Sequence, residues 1–279
     1  MPDKPLKLDE IGYWSEVKLE IVQKYAAAYS RILAAQSNIK AHIYIDAFAG
    51  AGSHISKATG DVVSGSPVNA KKIVPPFSEL HFIDLEGSRT KELSRLAAKD
   101  ARVTVHKGDC NDLLLQEVFP RCRWNDYRRG LCLLDPYGLN VDWEVLRTAG
   151  DLKSVEIFYN FMIMDANMNV LMRDPAKVTP AQASRMDAVW GDDSWRSAAY
   201  KTTHDLFGEV EEKAANEDIA EAFRERLEQV AGFEYVPPPM PMRNSKGAVV
   251  YYLYFASPNK TGARIVNDIF DTYRNRGAP

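Results

Sequence analysis

The pattern that most constrains the fold is a repeated alternation of short apolar runs with longer helix-forming segments. Alternating strands and helices favour right-handed crossovers and a parallel sheet. We therefore predict an α/β fold with a doubly wound, mostly parallel, Rossmann-like sheet, whose ligands bind beyond the carboxyl ends of the strands. The apolar runs lie at residues 42–48, 80–84, 102–105, 131–135 and 155–159.

The length of 279 residues suits one large domain or one domain with an insertion. We expect residues 1–40 to form an N-terminal helical segment and residues 41–164 to form the ligand-binding core. Residues 165–232 are mostly polar and are predicted to be a helical insertion. Residues 233–279 are expected to supply strands and a helix that complete the core. Helices are predicted over 14–35, 66–72, 88–98, 113–119, 142–148 and 262–276, and a further strand over 248–256.

A glycine-rich turn with Gly50 and Gly52 follows the first apolar run, directly after Asp46, Phe48 and Ala49. Glycine lets a ligand approach the main chain, because a Cβ atom there would collide with it. The N–H groups of such a turn can bind a carboxylate. A dinucleotide fingerprint would have a third glycine, which is absent here, so the pattern disfavours NAD. A purely structural turn is the alternative, and a loop is predicted from the turn to about residue 65.

Acidic side chains also follow the second and third runs. Glu86 could accept hydrogen bonds from both hydroxyls of a ribose, because an ionised carboxylate only accepts. Asp109, followed by Cys110, could accept from the exocyclic amine of an adenine. The alternatives are an acidic group at the start of a helix and an Asx turn. Asp84 is expected to face the edge of the core or to cap the next helix.

The most informative segment is Asp135-Pro136-Tyr137-Gly138, after the fourth run. It places a carboxylate, a stiff turn and a flat ring at the expected ligand edge. A carboxylate bonded to an amino group would help that group to lose a proton as it reacts. Asp135, Pro136 and Tyr137 are therefore the predicted catalytic residues, and Asp135 should also lie beside the cofactor. A strand-end turn with a packed tyrosine is the alternative.

Weaker signals concern the substrate side. Lys18 lies one helical turn after Trp14 and could meet a substrate, as could Tyr137 and Asn160. For Lys18 the alternative is a solvated charge, and for Asn160 it is loop capping. A basic stretch with aromatic residues over 121–129 has a composition that suits nucleic acid. It leads into the opposite end of the fourth strand, which favours a solvated surface.

Composition limits the class of protein. Cys110, Cys122 and Cys132 form no CxxC pair, so neither a disulfide scaffold nor a metal site is predicted. A reducing compartment, the cytoplasm, is therefore expected. The net charge of −3 does not indicate a nucleic-acid partner, although a local basic surface leaves one possible. No run approaches the ~20 apolar residues of a membrane helix.

These elements together resemble the three-Cys-motif partner proteins, a bacterial family similar to class I S-adenosylmethionine-dependent methyltransferases. The resemblance covers most of the chain. It implies S-adenosylmethionine as cofactor, held by the glycine-rich turn, Glu86 and Asp109. The matching segments are Trp14 with Lys18 and Tyr25, residues 44–52, 65–67, 82–86 and 135–138, and residues 246–259.

The resemblance also implies a partner, a radical-S-adenosylmethionine-type protein with a three-cysteine motif. The segment at Asp135 is similar to the D/N-P-P-Y/F signature of amino-group methyltransferases, but one proline is absent and Gly138 follows Tyr137. The leading hypothesis is methyl transfer to an amino group of a nucleic acid, a protein or a small molecule. The alternative is a binding module that acts through the partner without methyl transfer of its own.

Overall fold

The computed structural model describes residues 8–205 and 208–274. Residues 1–7 of the predicted N-terminal segment, 206–207 of the predicted insertion and 275–276 of the predicted last helix lie outside the described residues. The strands are β1 (Glu10–Ile11), β2 (Ala41–Asp46), β3 (Ser53–Ser56), β4 (Val62–Ser64), β5 (Glu79–Asp84), β6 (Val103–Lys107), β7 (Arg128–Leu134), β8 (Val155–Phe161), β9 (Tyr200–Asp205), β10 (Gly208–Lys213), β11 (Met240–Arg243) and β12 (Val249–Ala256).

The α-helices are α1 (Tyr13–Ala34), α2 (Ser66–Lys71), α3 (Gly87–Ala97), α4 (Cys110–Leu113), α5 (Trp143–Leu152), α6 (Ile163–Asn169), α7 (Pro180–Trp190), α8 (Trp195–Ala199), α9 (Asn216–Gln229) and α10 (Lys260–Arg274). Short π and 3₁₀ turns lie at Leu114–Val118, Phe119–Arg121, Trp124–Asp126 and Pro175–Lys177. Within the described part of the chain, no helix has the length and apolar composition needed to cross a membrane.

Seven strands form the central sheet, in the order β11-β12-β8-β7-β2-β5-β6. The five strands from β6 to β8 in this order are parallel, whereas β12 runs antiparallel to β8 and β11 runs antiparallel to β12. The chain places β5 and β6 on one side of β2, and later β7 and β8 on the other. The strand order therefore reverses between β2 and β7, and ligands of such sheets bind at this switch point. The predicted fold class is confirmed.

The central strands are covered on both faces, which explains their continuous apolar sequences. Every residue of β2 and of β8 is buried. Tyr44 belongs to the apolar cluster beneath α1 and α10, whereas its neighbours Ile43 and Ile45 belong to the cluster on the other face. This division follows from the alternation of side chains along a strand.

Short strands precede α1 and follow the glycine-rich turn, where a loop was expected. β3 and β4 pair antiparallel, and β1 lies parallel to β3. Main-chain hydrogen bonds from Ile55 N to Asp9 O (3.0 Å) and from Lys57 N to Ile11 O (2.9 Å) hold the start of the described chain beside the turn. Strands this short have no periodicity that a sequence can show, so only their pairing defines them.

The predicted insertion packs closely on the sheet. Phe223 of α9 stacks on Phe161 of β8 with ring centroids 4.7 Å apart, and it meets Trp190 of α7 at 5.2 Å. The helices of residues 165–232 therefore share one apolar cluster with the sheet. This segment also contains a hairpin of β9 and β10, which was not predicted because its polar strands carry no apolar alternation.

Glu156 of β8 is a buried carboxyl group that joins three elements. Its oxygen atoms accept hydrogen bonds from the Tyr25 hydroxyl of α1 and, at 2.9 Å, from the Ser257 hydroxyl after β12. Burial raises the pKa of Glu156 to about 7, although both hydrogen bonds oppose the shift. The folded protein therefore holds a proton that the unfolded chain releases, which makes stability depend on pH.

We expect the free energy of unfolding to fall as the pH rises from about 4.5 to about 7, because the folded state binds more protons than the unfolded chain. Glu156→Gln should reduce this fall by on the order of 3 kcal/mol, since the amide does not titrate. The rest of the fall should remain in this variant, because burial also raises the pKa of Asp46 to about 7. Urea denaturation at several pH values measures the slope. An unchanged slope in Glu156→Gln would contradict the assignment.

Candidate active site

Two neighbouring cavities lie along the carboxyl edge of the sheet. The first, of about 260 Å³, opens between the start of α1, the glycine-rich turn and the end of β7. The second, of about 710 Å³, lies beyond the ends of β5 and β6. Phe48 and Tyr137 line both. Of the other predicted site residues, the first cavity has Lys18, Ala49, Gly50, Asp135 and Pro136, and the second has Glu86, Asp109 and Cys110.

Three predicted site residues line neither cavity within the described structure: Asp46, Gly52 and Asn160. Asp46 is fully buried beneath the turn, and one of its oxygens accepts from Phe48 N at 3.3 Å. Burial raises the pKa of Asp46 to about 7, although the hydrogen bond from Phe48 N opposes the shift. Its other oxygen has no hydrogen-bond partner among the described residues. Asp46 therefore stabilises the turn through its main-chain contact and does not line a cavity.

The two glycines of the turn, Gly50 and Gly52, share a backbone conformation but differ in the space beside them. Both adopt positive φ, +62° at Gly50 and +82° at Gly52, a region that side chains rarely enter. A Cβ atom on Gly52 would lie 2.6 Å from Leu96 Cδ1, so the Leu96 side chain would have to shift. A Cβ atom on Gly50 would meet nothing within 4 Å. The main chain at Gly50 therefore faces open space at the cavity.

Asp84 connects the turn after β2 with the turn after β5. One oxygen accepts from Gly50 N at 2.9 Å, and the other accepts from Glu86 N at 2.8 Å. The sequence predicted an edge or capping position for Asp84. In the structure its carboxylate binds both loops, because β2 and β5 are adjacent in the sheet and end side by side.

A charged cluster spans the region between the cavities, and two of its members were not predicted. Arg89 lies 3.3 Å from Glu86 and donates to Asp9 at 3.0 Å, and its guanidinium lies 5.6 Å from the centre of the Tyr137 ring. The Tyr137 hydroxyl donates to the same Asp9 oxygen at 3.1 Å. The strand β1 brings Asp9 here, and no sequence signal indicates that contact.

Asp109 caps the short helix α4, and Cys110 is the first residue of that helix. The Asp109 side chain accepts from Asn111 N at 2.8 Å, which is the Asx-type contact named as the alternative, while the carboxylate stays exposed at the larger cavity. Burial raises the pKa of Cys110 to about 12. Its thiol therefore stays protonated and acts as a small apolar wall.

Asp135 is bound on both oxygens by residues from other elements. Lys18 of α1 donates to one oxygen, and Asn160 of β8 donates to the other. Lys18 is only 7% exposed, so the alternative of a solvated charge is wrong. Burial lowers the pKa of Lys18, but the Asp135 carboxylate outweighs this effect and the net result is a raised pKa. Lys18 therefore remains an ammonium group that orients Asp135 and balances its charge.

The turn after Asp135 is fixed by Asp165 at the start of α6. One oxygen of Asp165 accepts from Leu139 N at 2.8 Å and from Arg185 of α7 at 2.9 Å. A Cβ atom on Gly138 would lie 2.8 Å from that oxygen. A side chain after Tyr137 would therefore displace the Asp165 carboxylate, and the insertion contributes to the position of the catalytic candidates.

Among the solved structures similar to this chain, one with a TM-score above 0.5 shows a similar fold. Protein LPL1258 from Legionella pneumophila superposes over 94% of this chain and 91% of its own, with a TM-score of 0.53 and 10% identity. A candidate methyltransferase from Thermobifida fusca covers 85% of this chain and 80% of its own (TM-score 0.40, 15% identity), and the candidate methyltransferase YhhF from Escherichia coli covers 92% and 90% (TM-score 0.34, 12% identity). No protein-family model and no curated protein matches the sequence.

A double-mutant cycle tests the contact between Lys18 and Asp135. Lys18→Met and Asp135→Asn should each lower the free energy of unfolding by on the order of 1–3 kcal/mol, because each leaves a partly or fully buried group without its partner. The double variant should lose less than the sum. Urea denaturation at neutral pH gives the coupling.

Lys24→Met combined with Asp135→Asn is the matched control. Lys24 lies on the same helix but bonds to the Tyr273 hydroxyl at 2.6 Å, so this pair should be additive. If the losses of unfolding free energy in Lys18→Met and Asp135→Asn were also additive, a direct ion pair between these residues would be contradicted.

Proposed function

We propose that this chain is a class I methyltransferase that uses S-adenosylmethionine to methylate an amino group. The observation that carries the proposal is the meeting of two cavities at Phe48 and Tyr137, with Asp135 at the end of β7 beside them. A methyl donor and an acceptor held in neighbouring cavities would be positioned for reaction without covalent catalysis. The resemblance to the three-Cys-motif partner proteins supports S-adenosylmethionine as the cofactor.

The residues of the larger cavity and of the turn fit this cofactor. Open space in front of Gly50 leaves room for a ligand at the turn. The N–H groups of residues 48–50 already donate within the protein, so a ligand carboxylate would need donors further along the turn. The exposed Glu86 carboxylate would accept from the ribose hydroxyls. Asp109 would accept from the adenine amine, and Cys110 would add an apolar contact. Bound S-adenosylmethionine supplies an electrophilic methyl group.

The chain's own residues would prepare the acceptor. Asp135 would accept a hydrogen bond from the amino group and direct its lone pair, while the exposed ring of Tyr137 would stack on a planar acceptor. Lys18 and Asn160 would act as positioning residues, because each holds one oxygen of Asp135. Since Lys18 stays protonated, it would not serve as a base. The paired charges of Lys18 and Asp135 favour an amino group that is itself uncharged.

The alternative is a cofactor-binding protein that acts through a three-cysteine partner of the radical-S-adenosylmethionine type. Leu85 and Tyr137 line the larger cavity and are 71% and 65% exposed. Apolar groups exposed together at a cavity suit contact with a macromolecule, either a partner or a large acceptor. The partner stays a prediction. Cofactor binding without methyl transfer to any acceptor would favour this alternative.

Glu86→Gln should weaken the binding of S-adenosylhomocysteine about tenfold, because a neutral amide replaces a charged acceptor. Calorimetric titration measures the affinity. Glu92→Gln is the matched control on α3, the helix that follows Glu86. Glu92 pairs there with Arg95 at 2.6 Å, and the variant should bind like the wild type. NAD should not bind. An unchanged affinity in Glu86→Gln would move the ribose contact elsewhere, and no binding of the adenosyl ligand to the wild type would refute the proposed cofactor.

Asp135→Ala should abolish methyl transfer while it changes the affinity for S-adenosylhomocysteine by no more than about twofold, because its carboxylate serves the acceptor. Transfer of a labelled methyl group to pools of RNA, protein and small amines measures turnover. Asp151→Ala, which removes a surface partner of Arg147, should remain active. Full activity in Asp135→Ala would remove this carboxylate from the reaction.

A further inference from the structure

A separate cavity of about 230 Å³ lies at the opposite, amino edge of the sheet. It opens between the second half of α1, the start of β7 and β8, and the start of α10. None of its lining residues belongs to either cavity of the candidate active site. Its walls combine apolar side chains of two helices with a few polar groups. The apolar residues include Ile32, Leu33, Ile39 and Ile265.

One polar group of this cavity lacks a partner. Tyr29 is 6% exposed, and its hydroxyl has no hydrogen-bond partner among the described residues. Burial raises the pKa of Tyr29 well above its usual value, although the nearby Arg129 opposes the shift. The hydroxyl therefore keeps its proton and can donate. Buried polar groups are almost always bonded in native proteins, so a ligand that accepts from Tyr29 would complete the site.

Arg129 adds a positive charge to the same cavity. Its guanidinium stacks on Trp124 at 3.6 Å from the ring centre, and one nitrogen donates to the carbonyl oxygens of Trp124 (3.2 Å) and Arg128 (3.0 Å). In the described part of the chain Arg129 makes no ion pair with a carboxylate. The rest of its planar fork of donors suits a carboxylate, which it can bind through two parallel hydrogen bonds.

The acidic group of the cavity does not neutralise this charge. Both oxygens of Glu156 are bound by the hydroxyls of Tyr25 and Ser257. Lys153 adds a second cation at the rim, where its ammonium donates to the carbonyl oxygen of Gly232. The remaining donors of Arg129 and the Tyr29 hydroxyl therefore favour a ligand that is a negatively charged acceptor.

We propose that this cavity is a second ligand site, which binds a small carboxylic acid with an apolar or aromatic body. The carboxylate would meet Arg129 and the Tyr29 hydroxyl, and the body would lie against the apolar side chains of α1 and α10. The volume is below the roughly 300–1,000 Å³ of pockets for drug-sized ligands, so the ligand is a smaller molecule. Inorganic phosphate has no apolar part that could contact the apolar side chains of the cavity. A carboxylic acid with an apolar body is therefore the better fit.

Calorimetric titration with benzoate, phenylacetate and 3-methylbutanoate tests the site, with benzamide and inorganic phosphate as comparison ligands. We expect at least one carboxylate to bind more tightly than benzamide and phosphate. Arg129→Gln should weaken that binding at least tenfold. Tyr29→Phe should weaken it several-fold and leave the melting temperature of the free protein unlowered, because the lost hydroxyl has no partner to lose. Circular dichroism checks that both variants are folded.

Arg95→Gln is the control, since its side chain is 76% exposed and pairs with Glu92 on α3; it should bind the carboxylate like the wild type. The proposal is overturned if none of the three carboxylates binds, if benzamide or phosphate binds as tightly as the best of them, or if binding survives both Arg129→Gln and Tyr29→Phe. Each result is independent of whether the carboxyl edge binds S-adenosylhomocysteine.

Discussion

The contact between Lys18 and Asp135 connects the first helix with the end of β7, at the place where the strand order reverses. An ammonium group this deeply buried would be costly without an opposite charge. Asn160 of β8 holds the other oxygen of the carboxylate. Three segments that are distant in sequence therefore converge on one side chain, and its orientation is set before any ligand binds. Such preorganisation is what a site that works by positioning requires.

The surrounding loops are fixed in a similar way, by carboxylates that bind main-chain N–H groups. Asp84 holds the turns after β2 and β5, and Asp165 holds the turn after β7. Each carboxylate satisfies donors that a loop would otherwise leave unpaired. Because Asp165 belongs to the segment that follows the parallel strands, the insertion is part of the framework of the site as well as of the apolar core.

The two edges of the sheet differ in their electrostatics, although α1 contributes to both. Lys18 and Tyr29 are 11 positions apart on this helix, or about 16 Å along its axis. At the carboxyl edge the cation is paired inside the protein. At the amino edge Arg129 keeps donors that no carboxylate of the described residues takes up. The two edges therefore differ in the charge that the protein leaves unpaired.

The sequence by itself determined the parallel strands, the turn with Gly50 and Gly52, and the strand-end positions of Glu86, Asp109 and Asp135, because continuous apolar runs and punctuating glycines are local signals. It could not determine which polar groups meet. For Lys18 the sequence leaves a substrate contact or a solvated charge open. Asp9 and Arg89 give no signal, and β3 and β4 lie where a loop is predicted. Only the tertiary structure decided these features, since an ion pair or a two-residue strand exists through a partner that is remote in the chain.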